Sequence, residues 1–474
     1  METHVLKIGG SVLRGSHHFQ SIIDLTKSYN SLLVIVVSAF YGQTNLMLDL
    51  ISSKQTPEQV QTKLKGVSNE LWQIMNSYHP DFALKYWHKI ADRFSILESF
   101  KDRLSEKATL SQGEYNFILS FGERLSSLLL SYLFKFNNLE CEERLPENIG
   151  LIGKKQSGNF VVDYKSTRKN LQATTEFKKI TIIPGYYGLD HQKEIVTFGR
   201  GGTDYSAAAI AYCIKAKTLD IWKDVSGFMT TDPRLVEEAT NVEQLSYQEA
   251  AELAYFGAEI LHQRTVEPAQ LGKIPIRIYD IHQPYQSQYK TIISESKPDS
   301  YQVIKSISCS DDFSILQLQG AGIGIEVGLL GKICHLLAKG GINVKSVITA
   351  QTSINILLSN EDIDRARTIC RRIKGNTIAA IRSIQQISLL AAIGEGITTQ
   401  PGIASRIFGA LAKKQINVSA ISFGASRVAI YFIVDRKDKA QALESIHHEL
   451  FHIRSSNGSP SKSFLERHDF EFHA

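Results

Sequence analysis

The segment over residues 197–217, TFGRGGTDYSAAAIAYCIKAK, concentrates side chains and glycines that suit the binding of an anion. Arg200 offers a planar guanidinium that can hold a carboxylate or a phosphate through two hydrogen bonds. The glycines beside it let backbone N–H groups approach an anion, and the alanine-rich helix predicted next turns its positive end to the same place. Asp204 adds a fixed carboxylate. The segment predicts an anion site, and the alternative is a glycine turn that serves packing alone.

Short apolar segments alternating with helical ones must position this site. Helical spacing of apolar residues extends over roughly 57–100 and 114–136. The predicted strands are residues 5–8, 32–38, 180–183, 219–222 and 274–278. This alternation predicts a mostly parallel sheet covered by helices on both faces, an α/β fold. Ligands bind beyond the carboxyl ends of such strands, where this chain places its glycine-rich and polar segments.

The later part of the chain contains an internal repeat. A polar stretch at residues 294–300 predicts a linker. Beyond it, LLGKICHLLAKGGINV (329–344) aligns with IASRIFGALAKKQINV (403–418), an offset of 403 − 329 = 74 residues. Each copy has a strand and a glycine-containing loop before its helix, and an Ile-Asn-Val strand start after it. The repeat predicts two small α+β units, and the alternative is two similar amphipathic helices.

Composition excludes several classes of protein. With 43% apolar and 21% charged residues and a net charge of +5, the 474 residues are typical of a globular protein and give no reason to expect nucleic-acid binding. No membrane span or signal-peptide pattern is evident near the start of the chain. Five scattered cysteines without CxxC spacing indicate a reducing, cytoplasmic setting. The 14 histidines form no HExxH pattern, so no protein-bound metal site is expected.

Six motifs in order carry a family resemblance. They are KIGGS (7–11), VVSAFYGQTNL (36–46), FGERLS (121–126), GRGGTDYSA (199–207), DVSGFMTTDPR (224–234) and LSYQEAAELAYFGAEILH (245–262). With the repeat, they make the chain resemble the aspartate kinases of the amino-acid kinase superfamily, followed by two ACT regulatory modules. The resemblance implies a kinase domain over 1–296, with a mostly parallel sheet between helices. It also implies interleaved, ferredoxin-like ACT modules over about 303–383 and 384–455.

The resemblance implies transfer of the ATP γ-phosphoryl group to the β-carboxylate of L-aspartate. The product would be 4-phospho-L-aspartate, the first intermediate of lysine, threonine and methionine biosynthesis. A free Asp side chain has a pKa of about 3.9, so the acceptor is ionised at pH 7 and needs no general base. Catalysis then reduces to positioning and charge neutralisation. Lys7 is the candidate for the neutralising cation, Asp204 would orient it or the metal-bound phosphates, and Mg²⁺ would be held by phosphates and water.

The resemblance also assigns ligand contacts residue by residue. Arg200 should hold a carboxylate of aspartate and Glu123 its α-ammonium. The remaining predicted aspartate contacts are Ser38, Thr44, Gly202 and Thr203. The predicted nucleotide contacts are Lys7, Gly9, Gly10, Ser11, Lys223, Asp224, Met229 and Arg234.

Several positions depart from the family pattern. The first loop is one residue shorter than the usual KFGGTS. Lys223 stands where the family has Thr, and Met229 where Tyr is common. Glu259 and Gln263 replace residues of the pattern FGAK-V-LHP, whose lysine faces the nucleotide phosphates. Because Glu259 stands where the family has that lysine, Lys223 is a candidate for the cation that replaces it.

The ACT resemblance implies regulation by a bound amino acid. We expect lysine, threonine or both as effectors, glycine-rich effector loops at residues 320–328 and 394–402, and a homodimer formed through the ACT modules. Two alternatives stay open. One is a sensor that keeps the fold without catalysis, and the other is a kinase with a different acidic acceptor.

Overall fold

The chain divides into two compact units in the computed structural model. Unit 1 is Met1–Phe228 with Asn241–Lys297, and unit 2 is Met229–Thr240 with Pro298–Ala474. The structure describes residues 2–52, 55–105, 110–156, 158–174, 177–257, 260–283, 289–295, 303–373, 375 and 377–452. Most of the predicted linker and the tail after residue 455 lie outside these ranges, and the domain bounds stay predictions.

The strands of unit 1 confirm the predicted α/β sheet. They are β1 (Thr3–Ile8), β2 (Leu32–Val37), β3 (Glu142–Glu143), β4 (Gly153–Gln156), β5 (Asn159–Val162), β6 (Ile180–Pro184), β7 (Tyr187–Leu189), β8 (Ile195–Thr197), β9 (Thr218–Lys223), β10 (Gln244–Ser246), β11 (Ile276–Asp280) and β12 (Thr291–Ser294). The main sheet has the order β10-β12-β11-β9-β1-β2-β6-β3. Its pairs are parallel except β11 with β12. The remaining strands form the hairpins β4–β5 and β7–β8.

The central strands form because their sequences suit burial on both faces. β2 reads LLVIVV and β6 reads ITIIP, and every residue of these two strands except Leu32 is buried. Runs of β-branched residues pack well in a sheet covered from both sides. The carboxyl ends of β1, β2 and β9 therefore meet at the middle of one sheet edge, where the site lies.

The helices of unit 1 differ from the sequence prediction at two breaks. They are α1 (Phe19–Ser28), α2 (Gln43–Ser52), α3 (Pro57–Tyr78), α4 (Pro80–Glu98), α5 (Lys101–Ser105), α6 (Gln112–Leu119), α7 (Phe121–Phe136), α8 (Pro146–Ile149), α9 (Tyr164–Thr174), α10 (Gly202–Ile214), α11 (Tyr247–Tyr255) and α12 (Gln263–Gly272). The segment with helical spacing over 57–100 divides at Pro80, because proline suits the first turn of a helix but not its interior. The helix predicted over 114–136 bends by 41° between α6 and α7.

None of the described helices is, by itself, long and apolar enough to span a membrane. The bent pair of α6 and α7 meets the length and composition requirements only when the two are taken together. Most residues of α7 are buried inside unit 1, where Leu125, Leu129 and Phe134 belong to its main apolar core.

Unit 2 contains two four-stranded antiparallel sheets. Its strands are β13 (Ser306–Ser310), β14 (Phe313–Gln319), β15 (Ser346–Ala350), β16 (Ser353–Ser359), β17 (Ala380–Ile384), β18 (Ile387–Ile393), β19 (Ala420–Phe423) and β20 (Ala429–Asp435), and its α-helices are α13 (Leu329–Lys339), α14 (Ile363–Cys370), α15 (Ile403–Lys413) and α16 (Lys439–His447). The sheet orders are β13-β18-β20-β19 and β15-β16-β14-β17. The early strand β13 thus joins the sheet of the second repeat.

The internal repeat corresponds to matched helices in unit 2. α13 and α15 both have 11 residues, and each follows a glycine in the left-handed region, Gly328 with φ 81° and Gly402 with φ 86°. That conformation favours glycine, which explains why both copies carry one there. The prediction that Ile-Asn-Val begins a strand was wrong, because β15 and β19 begin two residues after it. A polar or small residue separates each tripeptide from its strand.

Candidate active site

The site begins with an ion pair between a strand and a helix of unit 1. Lys7 lies one residue before the end of β1, and Asp204 lies in the first turn of α10. Lys7 Nζ is 2.5 Å from Asp204 Oδ1, and the two side chains are only 6% and 9% exposed. Because β1 lies between two parallel neighbours, its carboxyl end points Lys7 into the middle of the sheet edge.

A second lysine reaches the same carboxylate. Lys223 is the last residue of β9, and its Nζ lies 3.7 Å from Asp204 Oδ2. Burial alone would raise the pKa of Asp204, but the ammonium groups of Lys7 and Lys223 outweigh burial and hold that pKa below its ordinary value. Asp204 is therefore a carboxylate at neutral pH, which excludes it as a proton donor.

The loop after β1 lies directly against this ion pair. A Cβ atom on Gly9 would be 3.0 Å from Lys7 Nζ, and one on Gly10 would be 2.9 Å from the Ala39 carbonyl oxygen. Neither glycine has a positive φ, so what both provide is close approach rather than an unusual backbone conformation. The half-buried Ser11 follows them, so all three predicted phosphate-side loop residues lie at this edge.

Glu123 provides a contrasting carboxyl group. It lies in the first turn of α7, is 3% exposed, and accepts hydrogen bonds from its own N–H and from the N–H of Ala39. Its Oε2 has no hydrogen-bond partner among the residues that the structure describes. Burial raises the pKa of Glu123 to about 8, although those N–H groups and the charge of Lys7 act in the opposite direction. The arrangement suits a cationic ligand.

The other residues predicted to contact aspartate differ in how deeply they are buried. Ser38 follows β2, where its N–H donates to the Ile8 carbonyl at 3.1 Å, and Thr44 lies in the first turn of α2. Gly202 and Thr203 are buried at the start of α10. Arg200, just before them, is exposed, and within the described parts of the chain it has no ion pair or hydrogen bond.

The structure explains why a glycine is needed just before α10. Gly201 has φ 70°, and a Cβ atom there would lie 2.3 Å from Cγ of His262. His262 caps α12, accepting a hydrogen bond from the Arg264 N–H. Burial lowers the pKa of His262, which leaves a neutral ring packed on the loop. The sequence placed His262 in a motif without assigning it this role.

Arg14 lies near the candidate site, and the sequence analysis did not single it out. Its guanidinium lies 3.4 Å from Asp224 Oδ2 and 4.4 Å from the centre of the Tyr41 ring. Asp224, predicted to contact the nucleotide, directly follows β9. An arginine three positions beyond Ser11 was the available signal.

Gln43 is a second missed residue. It is 1% exposed, and neither amide atom has a partner in the described portion of unit 1. With Met47 and Leu50 it occupies the buried face of α2, where an apolar residue would be expected. A Cβ atom on Gly122 would lie 3.6 Å from Gln43 Cβ, so this amide lies beside the start of α7. The polar residue on that apolar face was the missed signal.

Two predicted nucleotide contacts, and the position of Glu259 that departs from the family pattern, cannot be placed with this group. Met229 and Arg234 belong to unit 2, so their nucleotide roles stay predictions. There, the Met229 carbonyl accepts a hydrogen bond from Ser306 Oγ, and Arg234 pairs with Asp232. Glu259 lies outside the described residues.

Two protein-family models match this chain. The model of the amino acid kinase family matches residues 2–280, more than half of the chain. The chain belongs to the amino acid kinase family. An ACT domain model matches residues 390–450 of this amino acid kinase, inside unit 2.

The relatives of this amino acid kinase are aspartokinases. It is 27% identical to the chloroplastic bifunctional aspartokinase/homoserine dehydrogenase 2 of Arabidopsis thaliana over 95% of this chain and 51% of that one. It is 25% identical to the lysine-sensitive aspartokinase 3 of Escherichia coli K12 over 95% of this chain and 99% of that one. The chain spans about half the length of the first bifunctional relatives.

Solved structures agree with the fold. E. coli aspartokinase III, crystallised with aspartate and ADP, superposes with a TM-score of 0.81 at 24% identity, covering 95% of this chain and all of that one. The Clostridium acetobutylicum aspartate kinase gives a TM-score of 0.77 at 25% identity, covering 94% of this chain and all of that one. The predicted fold class and the resemblance to aspartokinases are confirmed.

Proposed function

We propose that this amino acid kinase transfers the γ-phosphoryl group of ATP to the β-carboxylate of L-aspartate, forming 4-phospho-L-aspartate and ADP. The observation that carries the proposal is the buried Glu123 carboxyl near Lys7, one oxygen of which has no partner in the described part of the chain. An α-ammonium group is the partner that such a carboxylate lacks. The aspartokinase names of the relatives support this assignment.

The acceptor contacts divide by charge. Glu123 takes the α-ammonium of aspartate, and the exposed Arg200 takes a carboxylate through two hydrogen bonds. The four polar or small residues around them add hydrogen bonds to the same substrate, namely Ser38, Thr44, Gly202 and Thr203. A glutamate acceptor, one methylene longer, would shift its reacting carboxylate relative to these fixed contacts.

The chemistry needs cations rather than a base. The acceptor carboxylate is already ionised, and charge spreads over the phosphoryl oxygens during transfer. The Lys7 ammonium neutralises part of that charge, and Asp204 holds Lys7 in place through the 2.5 Å contact. Because both groups are buried, their positions require little reorganisation during the reaction.

The residues present fit a nucleotide polyphosphate. The backbone N–H groups of Gly9, Gly10 and Ser11 can surround a phosphate beside Lys7. A Cβ atom on Gly9 would fill the space next to Lys7 Nζ. Asp224, paired with Arg14, lies next to it and suits a ribose contact. Mg²⁺ would neutralise phosphate charge and would be held by phosphates and water. No cluster of three His, Cys, Asp or Glu side chains suited to a metal occurs in the described ranges.

The ACT match supports a proposal for regulation and assembly. We propose lysine, threonine or both as effectors, bound at the loops over 320–328 and 394–402, in a homodimer formed through the ACT modules. The lysine sensitivity in the name of the E. coli relative supports this. The five cysteines are free thiols, which fits the proposed cytoplasmic location. The proposed product would serve lysine, threonine and methionine biosynthesis.

Hydroxylamine trapping of the acyl phosphate tests the proposal. Purified protein is given ATP, Mg²⁺ and L-aspartate, L-glutamate or N-acetylglutamate. Hydroxamate formed with aspartate alone is the expected result, and lysine or threonine in the same assay identifies the effector. Hydroxamate from another acceptor would change the substrate. No product, from a protein that still binds lysine or threonine, would favour a non-catalytic sensor.

A further inference from the structure

Lys223 projects to the same place as Lys7. In the parallel pairing of β1 and β9, Lys7 lies opposite Ile221, and Lys223 lies two residues further along β9. Residues two apart in a strand share one face of the sheet. Both ammonium groups therefore project from the same face, toward the first turn of α10.

The charges at this place do not balance. Asp204 is the carboxylate between the two lysines, at 2.5 Å from Lys7 Nζ and 3.7 Å from Lys223 Nζ. The neighbouring Asp224 is paired with Arg14 at 3.4 Å. One buried carboxylate facing two buried ammonium groups leaves a net positive charge, which needs an anionic partner because a buried unpaired charge is costly.

The geometry favours a polyphosphate as that partner. Two ammonium groups on either side of one carboxylate can contact separate oxygens of an extended polyanion. The glycine loop beside Lys7 adds backbone N–H groups, which suit phosphate. The acceptor amino acid has its own partners in Glu123 and Arg200. Lys223, with its side chain 16% exposed, is reachable from the site.

We propose that Lys223 is a second cation of the nucleotide site, binding the polyphosphate of ATP together with Lys7, while Asp204 holds both ammonium groups. This rests on the proposed function for the identity of the nucleotide. Burial lowers the pKa of Lys223 while Asp204 opposes the shift, and a bound phosphate would oppose it further.

Binding calorimetry on the full chain tests the role of Lys223 without turnover. The probes are a non-hydrolysable ATP analogue with Mg²⁺ and, separately, L-aspartate. Lys223→Met should weaken the analogue about 10- to 100-fold, as expected for a charge-assisted contact, and leave aspartate affinity within about twofold. Lys223→Arg should recover most of the loss. Lys217→Met, at the other end of β9 where Lys217 pairs with Glu2, is the matched control.

Two results would overturn the proposal: an unchanged affinity of Lys223→Met for the analogue, or an equal loss for aspartate. Lys223→Thr, measured in parallel, covers a failure of the methionine variant to fold. Asp204 keeps Lys7 in both variants, so thermal melts should match the wild type. Hydroxamate trapping on the wild type tests the acceptor separately, so failure of the aspartate assignment cannot be mistaken for failure of the Lys223 assignment.

Discussion

The proposed phosphate side and the proposed acceptor side of unit 1 differ in how far the protein itself organises their charged groups. On the phosphate side, Lys7, Asp204 and Lys223 already form a bridged ion pair, and the glycine loop lies against it. On the acceptor side, one Glu123 oxygen has no partner among the described residues, and the guanidinium of Arg200 is exposed. The first side is organised by the protein, whereas the second is completed by its ligand.

The difference follows from where the charges come from. The lysines proposed to bind phosphate can be held in place before the nucleotide binds, because Asp204 compensates part of their charge. We propose that the partner of Glu123 is the ammonium group of the substrate. Before that substrate binds, burial raises the pKa of Glu123 to about 8. Substitutions on the two sides should therefore affect different steps.

Removing the phosphate-side cation should have the largest effect. Lys7→Met should lower kcat about 100- to 1000-fold, because one preorganised electrostatic contact to the developing charge is lost. Lys223 remains beside Asp204, so the melting temperature should stay near that of the wild type. Steady-state hydroxamate assays check this, with Lys217→Met as the control. A variant with unchanged kcat would contradict the preorganised side of the comparison.

Removing the acceptor-side charge should affect binding instead. Glu123→Gln should raise the KM for aspartate about 10- to 100-fold and leave the KM for ATP nearly unchanged, since a charge-assisted contact to the ammonium is lost. Initial rates over both substrates measure this. Glu114→Gln, which breaks the surface pair with Arg103, is the matched control and should change neither constant. Equal loss for both substrates would remove the distinction between the sides.

The two loop glycines should separate activity from stability. In Gly9→Ala the new methyl group meets the end of the flexible Lys7 side chain, so activity should fall about tenfold with little change in melting temperature. In Gly10→Ala it meets the Ala39 backbone oxygen, so stability should fall by about 1–3 kcal/mol. Denaturant melts and hydroxamate rates on both variants measure this. The opposite pattern would place Lys7 away from the loop.

A further difference concerns how the stability of the chain depends on pH. The pKa of Glu123 is about 8 in the folded chain and about 4.3 when unfolded, so the stabilising contribution of its neutral form is complete below the lower value and declines up to the higher one. Relative to Glu123→Gln, the wild type should lose up to about 1.4 kcal/mol per pH unit between pH 5 and 8. Paired denaturant melts at several pH values check this. Parallel curves for the two proteins would show that Glu123 stays ionised.

The residues that we propose for the phosphate side could be singled out from the sequence because they lie in local patterns. Apolar β-branched strands fix where Lys7 must lie, and glycines at its carboxyl end mark a close approach. The contact between Arg14 and Asp224 joins residues 210 positions apart, so no local pattern could reveal it. The buried Gln43 contradicts the apolar pattern of α2, and its neighbours are known only once α2 and α7 pack.

The nucleotide-side predictions at Met229 and Arg234 show a different limit. Both follow Asp224 closely in sequence, yet the segment Met229–Thr240 belongs to unit 2. Val236 packs in a core cluster there, and Thr230 Oγ1 lies 2.9 Å from His447 Nε2. Such assignments depend on pairing over more than 200 residues, which motif order alone does not contain.

Proton release on aspartate binding tests the central contrast most directly. Titration calorimetry of the wild type at pH 7, in buffers of different ionisation enthalpy, counts the protons. Because Glu123 is mostly protonated at that pH and must ionise to pair with the ammonium, aspartate should release about one proton, and Glu123→Gln should release none. If the wild type binds aspartate without releasing a proton, Glu123 is not the protonated carboxyl that ionises to bind the substrate ammonium, and the account is contradicted.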